Sequence, residues 1–297
     1  MRAQEKTPAS RHFVSAMEHS SIVGVLRLVR FSMGLLVVGT FIAMSVLFDG
    51  AINPGDALLA ISLFLLTCFG FAFNDVFDRE YDKRYKPHRP LPSGAVSMSG
   101  AVSIVLLTGS AGLALSWLVG AEFGTLSVAI IMCTASYSFL KRTTLFPTLF
   151  LTPLLCSAPF LFSWVYSQEP SSLILAGLMS VFLFGREQLK DLQDVKGDSE
   201  AGLRTIPSVF GVRLGTVAMA GSFFLLLLLL PIPHFAVGGR VFGPIYCAVT
   251  VPCVGLTGMT AALLALRSRS PQSLHLALVV SKYGLVAGIA GLAFQGL

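Results

Sequence analysis

Charge is what this sequence has least of. Only 12% of its 297 residues are Asp, Glu, Lys or Arg, against 54% apolar residues, which is roughly half the charged share of a soluble domain. Mean hydropathy is +0.78. Long apolar stretches recur along the whole chain, which excludes a soluble domain with one anchor. Strict apolar–polar alternation is missing as well, and this argues against an outer-membrane barrel. What remains is an all-α, polytopic membrane bundle, in which every backbone group is satisfied within its own segment. Disulfide and metal signatures are also lacking. Cys68, Cys133, Cys156, Cys247 and Cys253 all lie in apolar stretches, with no C-x-x-C pair, and the five histidines are scattered. The cysteines read as small buried hydrophobes. Residues 1–20 are polar and mixed in charge, with no short apolar core before a small-residue cleavage site. They are expected to form a polar cytoplasmic segment rather than a removable signal peptide, with residues 21–297 as one transmembrane domain. The net charge of +6 needs no nucleic acid to explain it, because Lys and Arg collect in cytoplasmic loops. No obligate protein partner is implied.

About nine spans are predicted, at roughly 24–47, 55–76, 96–119, 121–138, 145–165, 170–188, 210–231, 241–265 and 275–296. Each is long enough, or nearly so, to cross ~30 Å of hydrocarbon at 1.5 Å per residue. Charge gives an independent check. With the N-terminus in the cytoplasm, the inside segments 1–30, 77–94, 139–144, 186–213 and 266–274 hold 19 of the 21 Lys and Arg; Arg240 and Lys282 are the exceptions. So lopsided a division predicts a multi-pass integral membrane protein with its N-terminus and its polar chemistry on the cytoplasmic side. The inside connections 77–94 and 186–208 are the long, charged ones.

Nine of the 15 acidic residues fall in two short windows: Asp75, Asp78, Glu80 and Asp82, then Glu187, Asp191, Asp194, Asp198 and Glu200. Asp75, Asp78 and Asp82 have the same offsets as Asp191, Asp194 and Asp198. On a helix each trio occupies one face, within an arc of roughly 60°. "RPLPS" from Arg89 and "RTIPS" from Arg204 follow their trios at similar intervals, which reads as an internal repeat. Stacked like charges destabilise a helix, and more so near a membrane. A divalent cation would offset that cost. Mg2+ fits best, because it is normally shared between one or two carboxylates and substrate phosphates. Between the trios, Tyr137 and Lys141 sit at i, i+4 in "YSFLKR", with Arg142 next; Lys141 and the Tyr137 hydroxyl would suit phosphate oxygens. Arg27 and Arg30 in "LRLVRFS" are further candidate anion partners.

These motifs resemble those of the UbiA superfamily of intramembrane aromatic prenyltransferases. Asn74, Asp78 and Asp82 match its N-x-x-x-D-x-x-x-D motif. Asp194 and Asp198 match its D-x-x-x-D motif, with Asp191 in the extended form, and Tyr137 and Lys141 match Y-x-x-x-K. The resemblance implies transfer of a polyprenyl group from an allylic diphosphate to an aromatic or lipid-like acceptor, with Mg2+ as cofactor and release of diphosphate. "NDVFDREYDKRYKPHRPLPSG" and "REQLKDLQDVKGDSEAGLRTIP" look most like the branch containing geranylgeranylglyceryl-phosphate geranylgeranyltransferase. The first span reads Arg30-Phe31-Ser32-Met33 where one common family pattern is R-P-x-N.

The expected roles follow. Asn74, Asp75, Asp78, Asp82, Asp191, Asp194 and Asp198 hold the metal. Asp78, Asp82, Asp194, Asp198 and Lys141 serve catalysis. Asn74, Tyr137, Lys141, Arg142 and Arg30 bind substrate, and Phe71, Phe73 and Phe77 shield the carbocation. An intramembrane terpene cyclase using the same ionisation is the alternative. A cation-coupled transporter is a further one, but its acids would sit near the midplane rather than at helix ends.

Overall fold

The computed structural model describes residues 21–145, 147–237, 239 and 241–296. The polar segment 1–20 and Arg240 lie outside the described residues. Every regular element among them is helical. In chain order they are α1 (Ser21–Leu28), α2 (Phe31–Asp49), α3 (Pro54–Phe77), α4 (Arg79–Tyr85), α5 (Met98–Val119) and α6 (Ala121–Leu140). Then come α7 (Thr152–Cys156), α8 (Ala158–Ser167), α9 (Ser171–Ala201), α10 (Ile206–Phe210), α11 (Val212–Leu229), α12 (Ile232–Ala236), α13 (Val251–Arg267) and α14 (Pro271–Gly296). Among the described residues, eight helices are long and apolar enough to cross a membrane. A ninth crossing is made if the pair Leu149–Cys156 and Ala158–Ser167, bent by 54°, counts as one span. Proline causes the bend: Pro153 and Pro159 remove backbone donors and crowd the preceding turn. Wide turns, Pro147–Leu151 and Tyr246–Thr250, precede Pro153 and Pro252 for the same reason.

Two span boundaries differ from the expectation. The first predicted span, 24–47, is broken: Arg30 takes a left-handed backbone (φ 48°) and separates α1 from α2. The predicted sixth span, 170–188, belongs to a single helix of 31 residues, α9, so most of the expected loop 186–208 is helix. Hydropathy reports where a helix leaves hydrocarbon, not where it ends. At 1.5 Å per residue α9 is roughly 46 Å long, well beyond a ~30 Å apolar layer.

Small residues bring the spans together. On α14, a Cβ at Gly284 would fall 1.7 Å from Thr257 Oγ1, and one at Gly288 would fall 2.4 Å from Val254. These two glycines, four apart, let α13 and α14 approach as small-x-x-x-small pairs do in membranes. The largest apolar cluster joins α2, α9, α11, α13 and α14, through residues such as Met44, Phe182, Phe223 and Ala261. A second joins α2, α3, α6 and α8 around Phe41 and Phe162. With both halves packed this way, the ends of α3 and α9 that carry the aspartates meet at one end of the bundle.

Candidate active site

α3 stops at Phe77 and α4 starts at Arg79, with Asp78 between them (φ −88°, ψ 6°). The helical hydrogen bonding still crosses this junction: Asp78 N donates to Asn74 O at 2.8 Å and Asp82 N to Asp78 O at 2.9 Å. The first trio therefore keeps its common face. The second trio lies on unbroken α9. The trios are not solvated loop charges: Asp75, Asp78, Asp82, Asp191 and Asp198 are all less than 9% exposed. Buried carboxylates are costly unless paired, and the pairing explains the arrangement.

Cations from three places neutralise the first trio. Arg89, in the loop after α4, donates through Nη1 to Asp75 Oδ1 at 3.1 Å and to Asp82 Oδ2 at 2.7 Å. Arg30 reaches Asp75 Oδ1 at 3.3 Å while its guanidinium lies 4.4 Å from the Phe71 ring centre. Lys141, which caps α6, is salt-bridged to Asp78 and donates to Asn74 Oδ1 at 3.1 Å. Burial acts to lower the pKa of Arg89, but Asp75 and Asp82 together lift it above the ordinary arginine value. Burial pushes the Lys141 ammonium below the usual lysine range, with Asp78 opposing the shift. Burial also raises the Asp82 carboxyl, and Arg89 holds it back.

The second trio draws its partners from the first half of the chain. Lys86 Nζ donates to Asp194 Oδ2 at 2.7 Å, and Tyr81 Oη donates to Asp198 Oδ1 at 2.9 Å. Tyr85 Oη adds a 3.1 Å bond to Glu200. The backbone joins in: Arg204 N, in the turn after α9, donates to Lys141 O at 3.1 Å. The two aspartate faces thus close on each other across α4.

Not every expected residue joins this cluster. Arg142 is exposed and stacks 5.3 Å from the Phe77 ring centre, with no carboxylate partner among the described residues. Tyr137 is half-buried, with its ring 5.5 Å from Lys141 Nζ. Phe71 lies on the first trio's face, one turn before Asp75. Phe73 and Phe77 project the other way, in a ladder with Phe69 and with Phe139, at centroid distances of 5.6, 6.5 and 4.7 Å. Phe139 is 60% exposed, so that ladder lies outside the aspartate cluster. Tyr81 and Lys86 carry no motif of their own, and Arg89 stands out only as the start of the repeated "RPLPS". Otherwise their signal was position: they lie at i+3, i+8 and i+11 from Asp78, in the most charged stretch of the chain.

The fit to a divalent cation is testable on the oxygens. Among the described residues no three His, Cys, Asp or Glu side chains converge on one point, because lysine and arginine interpose. Three buried carboxylate oxygens nevertheless have no hydrogen-bond partner: Asp78 Oδ1, Asp82 Oδ1 and Asp191 Oδ2. They come from both trios. Mg2+ needs only one or two carboxylates, completing its shell with water and phosphate oxygens, so the donor set fits it.

Comparison with known proteins bears on the family and the fold. The profile of the UbiA prenyltransferase family matches residues 36–281. A digeranylgeranylglyceryl phosphate synthase from Natronomonas pharaonis is 32% identical over 236 residues, covering 77% of this chain and 80% of that protein. An apo UbiA homologue from Aeropyrum pernix K1 has the same fold, with a TM-score of 0.74 at 21% identity, over 88% of this chain and 98% of its own. A UbiA homologue from Archaeoglobus fulgidus bound to DMAPP and Mg2+ superposes with a TM-score of 0.66 at 15% identity, over 90% of this chain and 98% of its own. The chain belongs to the UbiA prenyltransferase family.

Proposed function

We propose that this chain transfers a polyprenyl group from an allylic diphosphate to a lipid acceptor built on glycerol phosphate, with Mg2+ held between the aspartate trios and the site facing the cytoplasm. The observation that carries the reading is the meeting of the trios, bridged by Lys86 on Asp194 and Tyr81 on Asp198, with unpartnered carboxylate oxygens in both. The glycerol-phosphate acceptor rests on the Natronomonas pharaonis relative, whose name denotes a product with two geranylgeranyl chains on glyceryl phosphate. The cytoplasmic orientation rests on the 19 of 21 cationic residues that the span order puts on one side. Residues 21–297 act as one transmembrane catalytic domain, preceded by the short polar segment.

The allylic C–O bond breaks, its electron pair leaves with the diphosphate, and the acceptor oxygen forms the new bond as it loses its proton. When bound, Mg2+ supplies positive charge against the departing diphosphate. The oxygens of Asp78, Asp82 and Asp191, supported by Asn74, Asp75, Asp194 and Asp198, would hold it. Lys141 and Arg89, already desolvated and aimed at this cluster, present fixed positive charge where negative charge develops. Tyr137 stands beside Lys141 for a phosphate oxygen. Phe71, on the trio's face, lines the apolar side of the reacting carbon and keeps water from it.

The test is incubation of purified protein with Mg2+, labelled allylic diphosphates of several lengths, and geranylgeranylglyceryl phosphate or an aromatic acceptor, followed by mass spectrometry. A prenylated glycerol-phosphate lipid with equimolar diphosphate is expected. A cyclic terpene formed from diphosphate alone, or prenylation of the aromatic acceptor only, would overturn the reading.

A further inference from the structure

Five cations of the α9 end of the bundle rest on carboxylates: Arg30, Lys86, Arg89, Lys141 and Lys190. Arg186 does not. Its Nε donates to Ser281 Oγ at 3.1 Å and its Nη2 to the Leu278 carbonyl at 3.4 Å, both on α14 and both neutral. Among the described residues no carboxylate lies within ion-pair distance of it. A guanidinium offers five N–H groups in a planar fork, so most of its donor capacity is left over. It is half-buried at the cytoplasmic end of the crossing made by α9, where a cation with only neutral partners is costly. An anion would offset that cost.

The surroundings define what kind of anion. Lys190 lies one turn above Arg186 on the same stripe, paired with Glu187 at 2.8 Å and with 41% of its side-chain surface accessible. Cys156, an exposed residue on α7, lies near the charges of Arg186, Glu187 and Lys190. One turn below Arg186 the walls become apolar. Phe182 and Met179 of α9 and Leu285 and Ile289 of α14 line a cavity of about 50 Å³. A charged head at Arg186 therefore sits directly above hydrocarbon-like walls. Along the axis, Arg186 is about 7 Å from Asp191 and on another face of α9, so it does not duplicate the aspartate cluster.

We infer that Arg186 forms a second anion site that binds the phosphate head of the lipid acceptor, apart from the diphosphate held by the aspartate trios. The inference rests on the glycerol-phosphate acceptor proposed above and adds the residue that selects it. A planar guanidinium takes a phosphate monoester through two parallel hydrogen bonds.

The test crosses the residue with the charge it recognises. Steady-state kinetics of wild type, Arg186→Gln and Arg186→Lys use geranylgeranyl diphosphate as donor, with geranylgeranylglyceryl phosphate or the phosphate-free geranylgeranylglycerol as acceptor. Arg186→Gln is expected to raise KM for the phosphorylated acceptor by about tenfold or more, through the loss of the charge-assisted pair of hydrogen bonds, while KM for the donor stays within about twofold. Arg186→Lys, which keeps the charge but not the planar fork, recovers part of the loss, and the phosphate-free acceptor is insensitive to either change. A readout independent of turnover is maleimide alkylation of Cys156, located by mass spectrometry. A saturated dialkylglyceryl phosphate protects the thiol, the matching dialkylglycerol does not, and Arg186→Gln abolishes the protection. Where Arg186→Gln does not fold, protection of the wild-type thiol by the phosphorylated but not the neutral lipid decides. Equal protection by both lipids, or an equal KM rise for donor and acceptor, overturns the site. Turnover of the phosphorylated acceptor with no effect of Arg186 sinks the site and keeps the acceptor reading. Selective protection without turnover of that acceptor sinks the acceptor reading and keeps an anionic-lipid site.

Discussion

The two aspartate trios share their spacing and little else. The first straddles a one-residue helix interruption and is neutralised from three separate elements, by Arg30, Arg89 and Lys141. The second rides on one continuous helix and borrows its partners, Lys86 and Tyr81, from the segment that begins with the first trio. The first trio therefore organises the site and the second closes it. Equal sequence spacing has produced unequal electrostatics, because a trio's neighbours are set by which helix ends reach it rather than by its own repeat.

Removing one aspartate from each side should erase the difference by destroying the shared site. Asp78→Ala with Asp194→Ala is expected to bring diphosphate release below about 1% of wild type, a loss of roughly 3 kcal/mol or more in transition-state stabilisation, while the protein still inserts and elutes as a folded species. Detectable turnover by the purified double variant at saturating Mg2+ would count against both trios. The cations should then separate the halves. Arg89→Ala leaves the buried Asp82 without a cation and Asp75 with Arg30 alone, and should cost about 3 kcal/mol of stability. Lys86→Ala leaves the more open Asp194, 24% exposed, and should cost about 1 kcal/mol or less. Thermal melts in detergent would read this order, and equal costs would erase the asymmetry.

The same pair responds to pH. Burial raises the Asp82 carboxyl above its unfolded value and Arg89 opposes that rise. A carboxyl raised by folding favours the native state below its unfolded pKa, and that contribution is lost as pH rises through the folded pKa. Arg89→Ala lifts the folded pKa further, so its deficit in melting temperature should be larger at pH 8 than at pH 5. A deficit independent of pH would assign Arg89 to packing alone. A change similar in size to Lys86→Ala is Tyr81→Phe, which deletes one hydrogen bond to Asp198 and should cost about 1 kcal/mol. It would leave activity within a few-fold in a coupled diphosphate assay.

The spans, the matched trios and the Tyr137–Lys141 pair were legible because each is a local pattern: a run of apolar residues or a fixed offset on a helix. The partners were not. Nothing in the spacing of Arg89 says that its loop folds back over Asp75 and Asp82, and nothing in "LRLVRFS" says that Arg30 adopts a left-handed backbone to reach Asp75. Such contacts depend on the packing of α3 against α5 and α6. Hydropathy also misplaced the end of α9, whose polar third lies outside its window. Phe73 and Phe77 show the converse error. They are near the trio in sequence but on the opposite face of the helix, 200° of rotation or its equivalent from Asp75.

The length of α9 carries a consequence for the lipid around it. Its membrane crossing and its three aspartates form one rod of 31 residues, whereas the first trio sits at a joint. A thinner or thicker bilayer changes the inclination of a rigid span, and the far end of the rod sweeps with it. A change of acyl-chain length in the host membrane is therefore expected to reach the proposed site through the second trio first, which turnover in vesicles of graded thickness would show.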